Sequence, residues 1–400
     1  MLANVPATKI RTHLAVTARV VVLSCAATIL IGCQAGSRVR EDDTEKLSPS
    51  QQLSDLETFG RVVASAHPYL ERSDRQRSLK KALADCRRRL NKELTLGQFY
   101  RAISPVADVL EDDHTMIYSP EGRSISQQQR YAEGIYAWIK STETVGSNNY
   151  RILSERGLCV LQFNTCGMPW EQGLYKTFFE RVFKDISDHE VETLIIDARR
   201  NQGGYSGNAS ELLRYIADGP FRQYDRAERR ICQESLEFYR KCDIDLVELL
   251  ERDFNLGGLK VLPEGGLPAG TYLMEAKYLD PVDETMRFKG QTYVLIGPDL
   301  FSSGMLFANT VQQYKMAPLV GRKVRWQFGR QHLGDVLIGE LPHSHLEYMV
   351  STTIFTVSRP AGAKYITPDY ETPTQESRSG QERDAVLEHA IELSEEMGHQ

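Results

Sequence analysis

Several things are missing from this sequence, and each absence removes a class of function. No two cysteines stand at CxxC spacing and no Cys/His cluster has the spacing of a zinc site, so no metal is expected. There is no GxGxxG, and no Lys-Ser/Thr follows the glycine pair at 203–204, so neither a dinucleotide fingerprint nor a P-loop is present and no cofactor is expected. Basic residues are not in excess. The 48 Lys and Arg against 54 Asp and Glu give a net charge of −6, and nothing favours a nucleic-acid partner. After residue 34 no run is long and apolar enough to span a bilayer. Internal repeats and long low-complexity tracts are absent as well. What remains is a chain of 400 residues, 41% hydrophobic and 26% charged, with the composition of a soluble globular protein and length for two or three domains.

The N-terminus departs from that pattern. Lys9, Arg11 and Arg19 precede an apolar run at 20–32, too short for a spanning helix and suited to a signal h-region. The run ends in Leu30-Ile31-Gly32-Cys33, which resembles the bacterial lipobox. That resemblance implies acylation of Cys33, a lipoprotein signal over 1–33, and membrane attachment through the lipid. Gln34 suits sorting to the outer membrane, facing the periplasm; the alternative is a plain signal peptide cleaved nearby. Residues 34–50, polar and rich in Ser, Arg and acids, read as a tether. Cys86, Cys159, Cys166, Cys232 and Cys242 remain in the mature chain, with Cys159/Cys166 and Cys232/Cys242 as possible bridges.

Helical periodicity over 51–115, with Leu53, Leu56, Phe59 and Val63 spaced by three and four, predicts a small N-terminal bundle within 51–125. The pattern ends in Glu111-Asp112-Asp113-His114-Thr115, where a histidine after acids can be a helix-end cap or a functional base. Residues 116–150 form a short connection.

Two later segments carry strand–turn–helix patterns. VETLIIDARRNQGG, 191–204, is a buried strand running into Gly203-Gly204, with SGNASELLRYIAD as the helix beyond. QTYVLIGPDLFSSGMLFANTV, 291–311, is a β-branched strand, a Gly-Pro-Asp break, Ser302-Ser303 and a helix. A serine there can be an N-cap, or it can be a nucleophile beside the free amides and positive dipole end of the helix. The glycine pair can be a tight turn or an oxyanion-hole backbone. Alternating strands and helices imply an α/β core with a parallel sheet over 150–375. The charged stretch 222–290 reads as an insertion, and 382–397 as an amphipathic C-terminal helix.

Together, LIIDARRNQGG, VLIGPDLFSSGMLFA, LVG with GRQHLGD and LPHSHLEYMVST, and ITPDYE resemble the C-terminal-processing (tail-specific) serine peptidases. AHPYL and VLEDDHT match members of the branch near the tricorn core and the retinoid-binding proteins, which carry a histidine before the sheet. The resemblance implies a ClpP/crotonase-like core behind a helical bundle, with no room between 116 and 150 for the family's PDZ domain. It implies Ser302 as nucleophile with Ser303 as second choice, His114 as general base, and the amides of Ser303 with Gly203 or Gly204 as oxyanion hole. Asp369 or Asp113 would orient the histidine, with Glu371 a further option. The Ser–Lys dyad of other members has no clear counterpart: Arg330 aligns with the lysine and cannot act as a base, and Lys323 lies elsewhere in the loop. The family's glutamate before the closing motif is replaced in the region Ala361-Gly362-Ala363, and Met305 stands where another glutamate is usual. The function expected is therefore a lipid-anchored envelope serine endopeptidase acting on peptides or proteins. The alternative is a binding module of the same fold that holds a peptide or apolar ligand without cleaving it.

Overall fold

The computed structural model describes residues 46–120, 145–241, 245–256, 267–359, 362–372 and 384–397. Cys33, Cys242 and the signal region lie outside them, as does the connection from 121 to 144. In chain order the main elements are α1 (Pro49–Ala66), α2 (Ser73–Arg89), α3 (Leu96–Ile103), β1 (Asn149–Leu153), β2 (Leu158–Gln162), α4 (Gln172–Asp188), β3 (Thr193–Asp197), α5 (Ser206–Ile216), β4 (Arg226–Ile231), β5 (Gly270–Ala276), β6 (Gln291–Ile296), α6 (Ser303–Gln313), β7 (Leu319–Gly321), β8 (Gln331–Glu340), β9 (Glu347–Thr356), β10 (Tyr370–Glu371) and α7 (Ala385–Met397). The class is mixed α/β, as expected.

The chain divides into two compact units, and the division is discontinuous. Among the described residues, the first unit comprises 46–120 together with 231–241, 245–246 and 336–351; the second holds 145–230, 247–256, 267–335, 352–359, 362–372 and 384–397. This differs from the contiguous bundle and core read from the sequence, because segments far along the chain return to the helical unit.

In the first unit α1 begins earlier than the expected tether end. Ser48 caps it: the Gln51 amide donates to the Ser48 hydroxyl at 3.4 Å, the Ser48 amide donates to Gln51 Oε1 at 2.9 Å, and Pro49 occupies the first turn. Lys46-Leu47 pairs with Leu94-Thr95 as a short antiparallel ribbon, so 46–50 are folded rather than tether. Leu56, Phe59, Val63, Phe99, Ile103 and Leu110 form the core, joined by Leu341 and Val350 from the returning segment. Residues Tyr348 and Met349 pair antiparallel with Ile117 and Met116.

The second unit contains a sheet in the order β1-β2-β3-β6-β7-β10. All neighbouring pairs run parallel except β1 with β2. Leu158, Val160, Ile195, Tyr293, Leu295 and Val320 face α7 through Leu387 and Ala390. Alternation sends the intervening side chains to the other face, where α4, α5 and α6 pack side by side. Arg226–Arg229 of β4 pair with Thr353–Thr356 of β9, so part of the supposed insertion 222–290 is sheet. Its charged residues alternate with buried Ala227, Arg229 and Ile231, which hid the strand.

Candidate active site

Because β3 and β6 are parallel neighbours, their carboxyl ends lie at the same edge of the sheet. The loops leaving them therefore meet there, where open α/β sheets place their ligand crevices. β3 leads into Asp197–Gly204 and β6 into Gly297–Ser302. Asn201 joins the two. Its carbonyl accepts the Phe301 amide at 2.9 Å, its side-chain oxygen accepts the Gly203 amide at 2.8 Å, and its Nδ2 donates to Phe163 O at 3.0 Å. Asn201 is fully buried and was not singled out in the sequence, where it reads as one polar residue in a turn.

The join is tight. Gly203 has φ +95, and a Cβ there would lie 2.6 Å from Ser302 Cβ and 3.1 Å from Ser302 Oγ. Gly204 has φ +125, and its Cβ would meet Gly167 O at 2.3 Å. Both positions need glycine for backbone conformation and for approach.

Ser302 stands at the N-cap position of α6 with φ 51 and ψ −125, a region that costs a non-glycine residue about 1–3 kcal/mol. Its side chain makes no capping bond to the helix. That separates it from an ordinary capping serine, which has β-region dihedrals and bonds the second or third amide. Ser303 acts differently, since its hydroxyl donates to Gly204 O at 2.7 Å and fastens the helix to the glycine turn. The amides of Ser303 and Gly204 have no acceptor among the described residues. The Gly203 amide is committed to Asn201, so of the two glycines expected to supply an oxyanion donor only Gly204 has its N–H open.

The profile of peptidase family S41 matches residues 159–372, more than half of the chain and the whole of this strand–turn arrangement. The chain belongs to peptidase family S41. The resemblance to C-terminal-processing serine peptidases therefore holds, and membership implies a peptide or protein substrate. Solved structures agree on the fold. A candidate peptidase from Parabacteroides merdae ATCC 43184 is 15% identical with a TM-score of 0.52, covering 87% of this chain and 97% of its own. A mutant of CPAF is 11% identical with a TM-score of 0.52 over 87% of this chain and 96% of its own. Mature CPAF complexed with lactacystin is 12% identical with a TM-score of 0.50 over 87% and 97%. At these identities the likeness concerns fold alone. No curated protein matches the chain.

The other candidate residues named from the sequence fall in different settings. His114 belongs to the first unit and is buried. Its main-chain N–H donates to Asp112 Oδ1 at 2.9 Å, and its Nδ1 lies 3.9 Å from the same oxygen. Asp112 Oδ2 accepts from His67 Nε2 at 3.2 Å and from the Thr115 hydroxyl at 2.5 Å. Burial pushes the Asp112 pKa up, but the His67 hydrogen bond, the His114 charge and the Thr115 hydroxyl outweigh it and hold the carboxyl well below its ordinary range. Asp113, expected as an orienting acid, is exposed to solvent. Its own pKa is raised by partial burial, against the pull of His114 and with the push of Asp112.

Asp369, the other expected acid, is engaged with its strand. Its Oδ2 accepts the Leu319 amide at 2.8 Å at the start of β7. Lys323 lies over the Tyr365 ring, 4.3 Å from its centroid, and Arg330 is exposed. Glu371 is exposed on β10, and Met305 is buried in α6. The supposed Cys159/Cys166 bridge does not form: both thiols are free and buried, as are Cys86 and Cys232. Beside the glycine turn, the Tyr205 hydroxyl donates to Asp253 Oδ2 at 3.3 Å. Burial and the nearby Asp335 charge raise Asp253 to about 7 against the opposing Tyr205 bond.

Proposed function

We propose that this S41 chain is a serine endopeptidase in which Ser302 is the nucleophile and His114 the general base. The observation that carries the reading is the backbone of Ser302, held in a costly conformation at the shared end of two parallel strands with its side chain not used as a cap. In this mechanism Ser302 Oγ attacks the substrate carbonyl carbon while His114 Nε2 takes its proton. The oxyanion is held by the open amides of Ser303 and Gly204, each worth on the order of 100- to 1000-fold in rate. Collapse of the tetrahedral intermediate breaks the C–N bond, and the leaving amine receives the proton from His114. Water, deprotonated by His114, then hydrolyses the acyl-Ser302 ester and frees the enzyme.

Labelling of the full chain with a fluorophosphonate tests this. Wild type is expected to label, and Ser302→Ala and His114→Ala are expected not to. Labelling that persists in Ser302→Ala moves the nucleophile elsewhere. A wild type that never labels favours the non-cleaving binding module, to which the missing family glutamate and Met305 also point.

The location proposed is the envelope, with the chain anchored through lipid on Cys33 to the outer membrane. No helix among the described residues is long and apolar enough to cross a membrane. Metabolic labelling with an alkynyl fatty acid is expected to mark wild type and not Cys33→Ser.

A further inference from the structure

We propose that Asp112 positions His114 and supplies its counter-charge, and that His67 in turn holds Asp112. The first unit would then deliver a buried imidazole–carboxylate–imidazole chain rather than a lone histidine. This rests on the reading of His114 as the base.

The hydrogen bonds fix the protons. His67 Nδ1 accepts the Tyr69 amide at 3.2 Å, so that nitrogen carries no hydrogen. The ring proton is on Nε2, which donates to Asp112 Oδ2. Thr115 donates its hydroxyl hydrogen to the same oxygen, and Thr115 Oγ1 in turn accepts the Ser351 amide at 3.0 Å. The His114 amide, the His67 ring and the Thr115 hydroxyl all donate to Asp112. An asparagine would turn an NH2 group toward some of them, whereas a carboxylate accepts from all. The side chains of His67, Asp112 and His114 are 0%, 1% and 7% exposed, so the anion is screened little by solvent.

Oδ1 accepts the His114 amide and stands 3.9 Å from His114 Nδ1. That is ion-pair distance, and a modest ring movement brings Nδ1–H within hydrogen-bond reach. With Nδ1 protonated, Nε2 is the ring nitrogen that lacks a hydrogen and can take a proton. The geometry thus selects Asp112 over the adjacent Asp113, which faces solvent. Both carboxylates act on the His114 charge, but only Asp112 is buried against the ring's own backbone.

The test is NMR of the histidine rings in the full chain, with His114 assigned by the signal lost in His114→Gln. Wild type is expected to show neutral His114 as the Nδ1–H tautomer. In Asp112→Asn the His114 pKa is expected to fall by about 1 pH unit, since loss of a neighbouring anion disfavours imidazolium. The acid limb of fluorophosphonate labelling should move down in pH with it, and the rate at neutral pH should drop at least about tenfold. Asp112→Glu should restore part of the midpoint, and Asp113→Asn should leave it nearly in place. An Nε2–H tautomer in wild type overturns the proposal even if Asp112→Asn does not fold. An unchanged His114 midpoint in a folded Asp112→Asn overturns it as well. Because the ring titration does not require Ser302 to react, failed labelling with intact coupling would remove the peptidase reading and leave the Asp112–His114 link standing.

Discussion

The glycine–serine turn and the His67–Asp112–His114 cluster are built on opposite principles. In the turn the side chains are small or absent and the backbone is held in unusual dihedrals, so the arrangement depends on shape. In the cluster the backbone is ordinary apart from Glu111 at φ 52, and the arrangement depends on a buried charge surrounded by donors. The difference is one of tolerance. One added methyl should ruin the turn, where a change of charge nearby matters little. In the cluster a change of charge at constant size should be the damaging one.

The sharpest attempt to break this contrast is Gly203→Ala. The new Cβ would sit 2.6 Å from Ser302 Cβ at φ +95, so Ser302 or the turn must move. Fluorophosphonate labelling is expected to fall on the order of 100-fold or more. A rate within about twofold of wild type would show that the turn is not shape-limited. Asn201→Leu comes next. It keeps roughly the volume but removes the acceptor of the Gly203 amide and the donor to Phe163 O, with an expected stability loss of about 1–3 kcal/mol by denaturant unfolding and a labelling loss of about tenfold. A purely local packing role would lower stability and leave labelling unchanged.

Asp253 sharpens the contrast from the other side, as a carboxyl inside the second unit with few donors. Its folded pKa, about 7, lies above the ordinary carboxyl value of 3.8, so the folded state binds the extra proton. Stability should therefore decline as pH rises from about 4 through 7. Asp253→Asn should match wild type near pH 4 and exceed it above pH 7 by about 1–3 kcal/mol, read from urea midpoints across pH. Equal stability of the two at pH 8 would contradict the assignment. Asp112 has the reverse sign: its contribution is complete above about pH 4 and is lost as pH falls below that. The smallest expected effect is Asp113→Asn, within about twofold in labelling, because that side chain is exposed.

Much of the second unit was legible in the sequence. The β-branched runs at 193–197 and 291–296, each followed by a breaker and a helix, became neighbouring parallel strands with their turns at one edge. Four features were not legible, for physical reasons. Choosing between Asp112 and Asp113 requires knowing which side of the turn is buried, and adjacent residues look alike until the chain folds. The role of Asn201 comes from partners up to 100 positions away in sequence, Phe301 among them. Strand β4, with its run of Arg and Glu, follows no apolar pattern because Arg229 is buried by pairing with Asp335 at 2.9 Å rather than by hydrophobicity. The open Gly204 amide, in place of that of Gly203, was likewise a matter of one hydrogen bond.

The free thiols give the molecule its own reporters of opening. Cys86 and Cys232 belong to the first unit, Cys159 and Cys166 to the second, and all four are buried. Burial lifts Cys166 to about 12 and raises Cys86 and Cys159 as well, so in the folded chain they should resist alkylation. Timed exposure to iodoacetamide in mild urea, followed by peptide mass mapping, would then record in native sequence which half loosens first, with no engineered label.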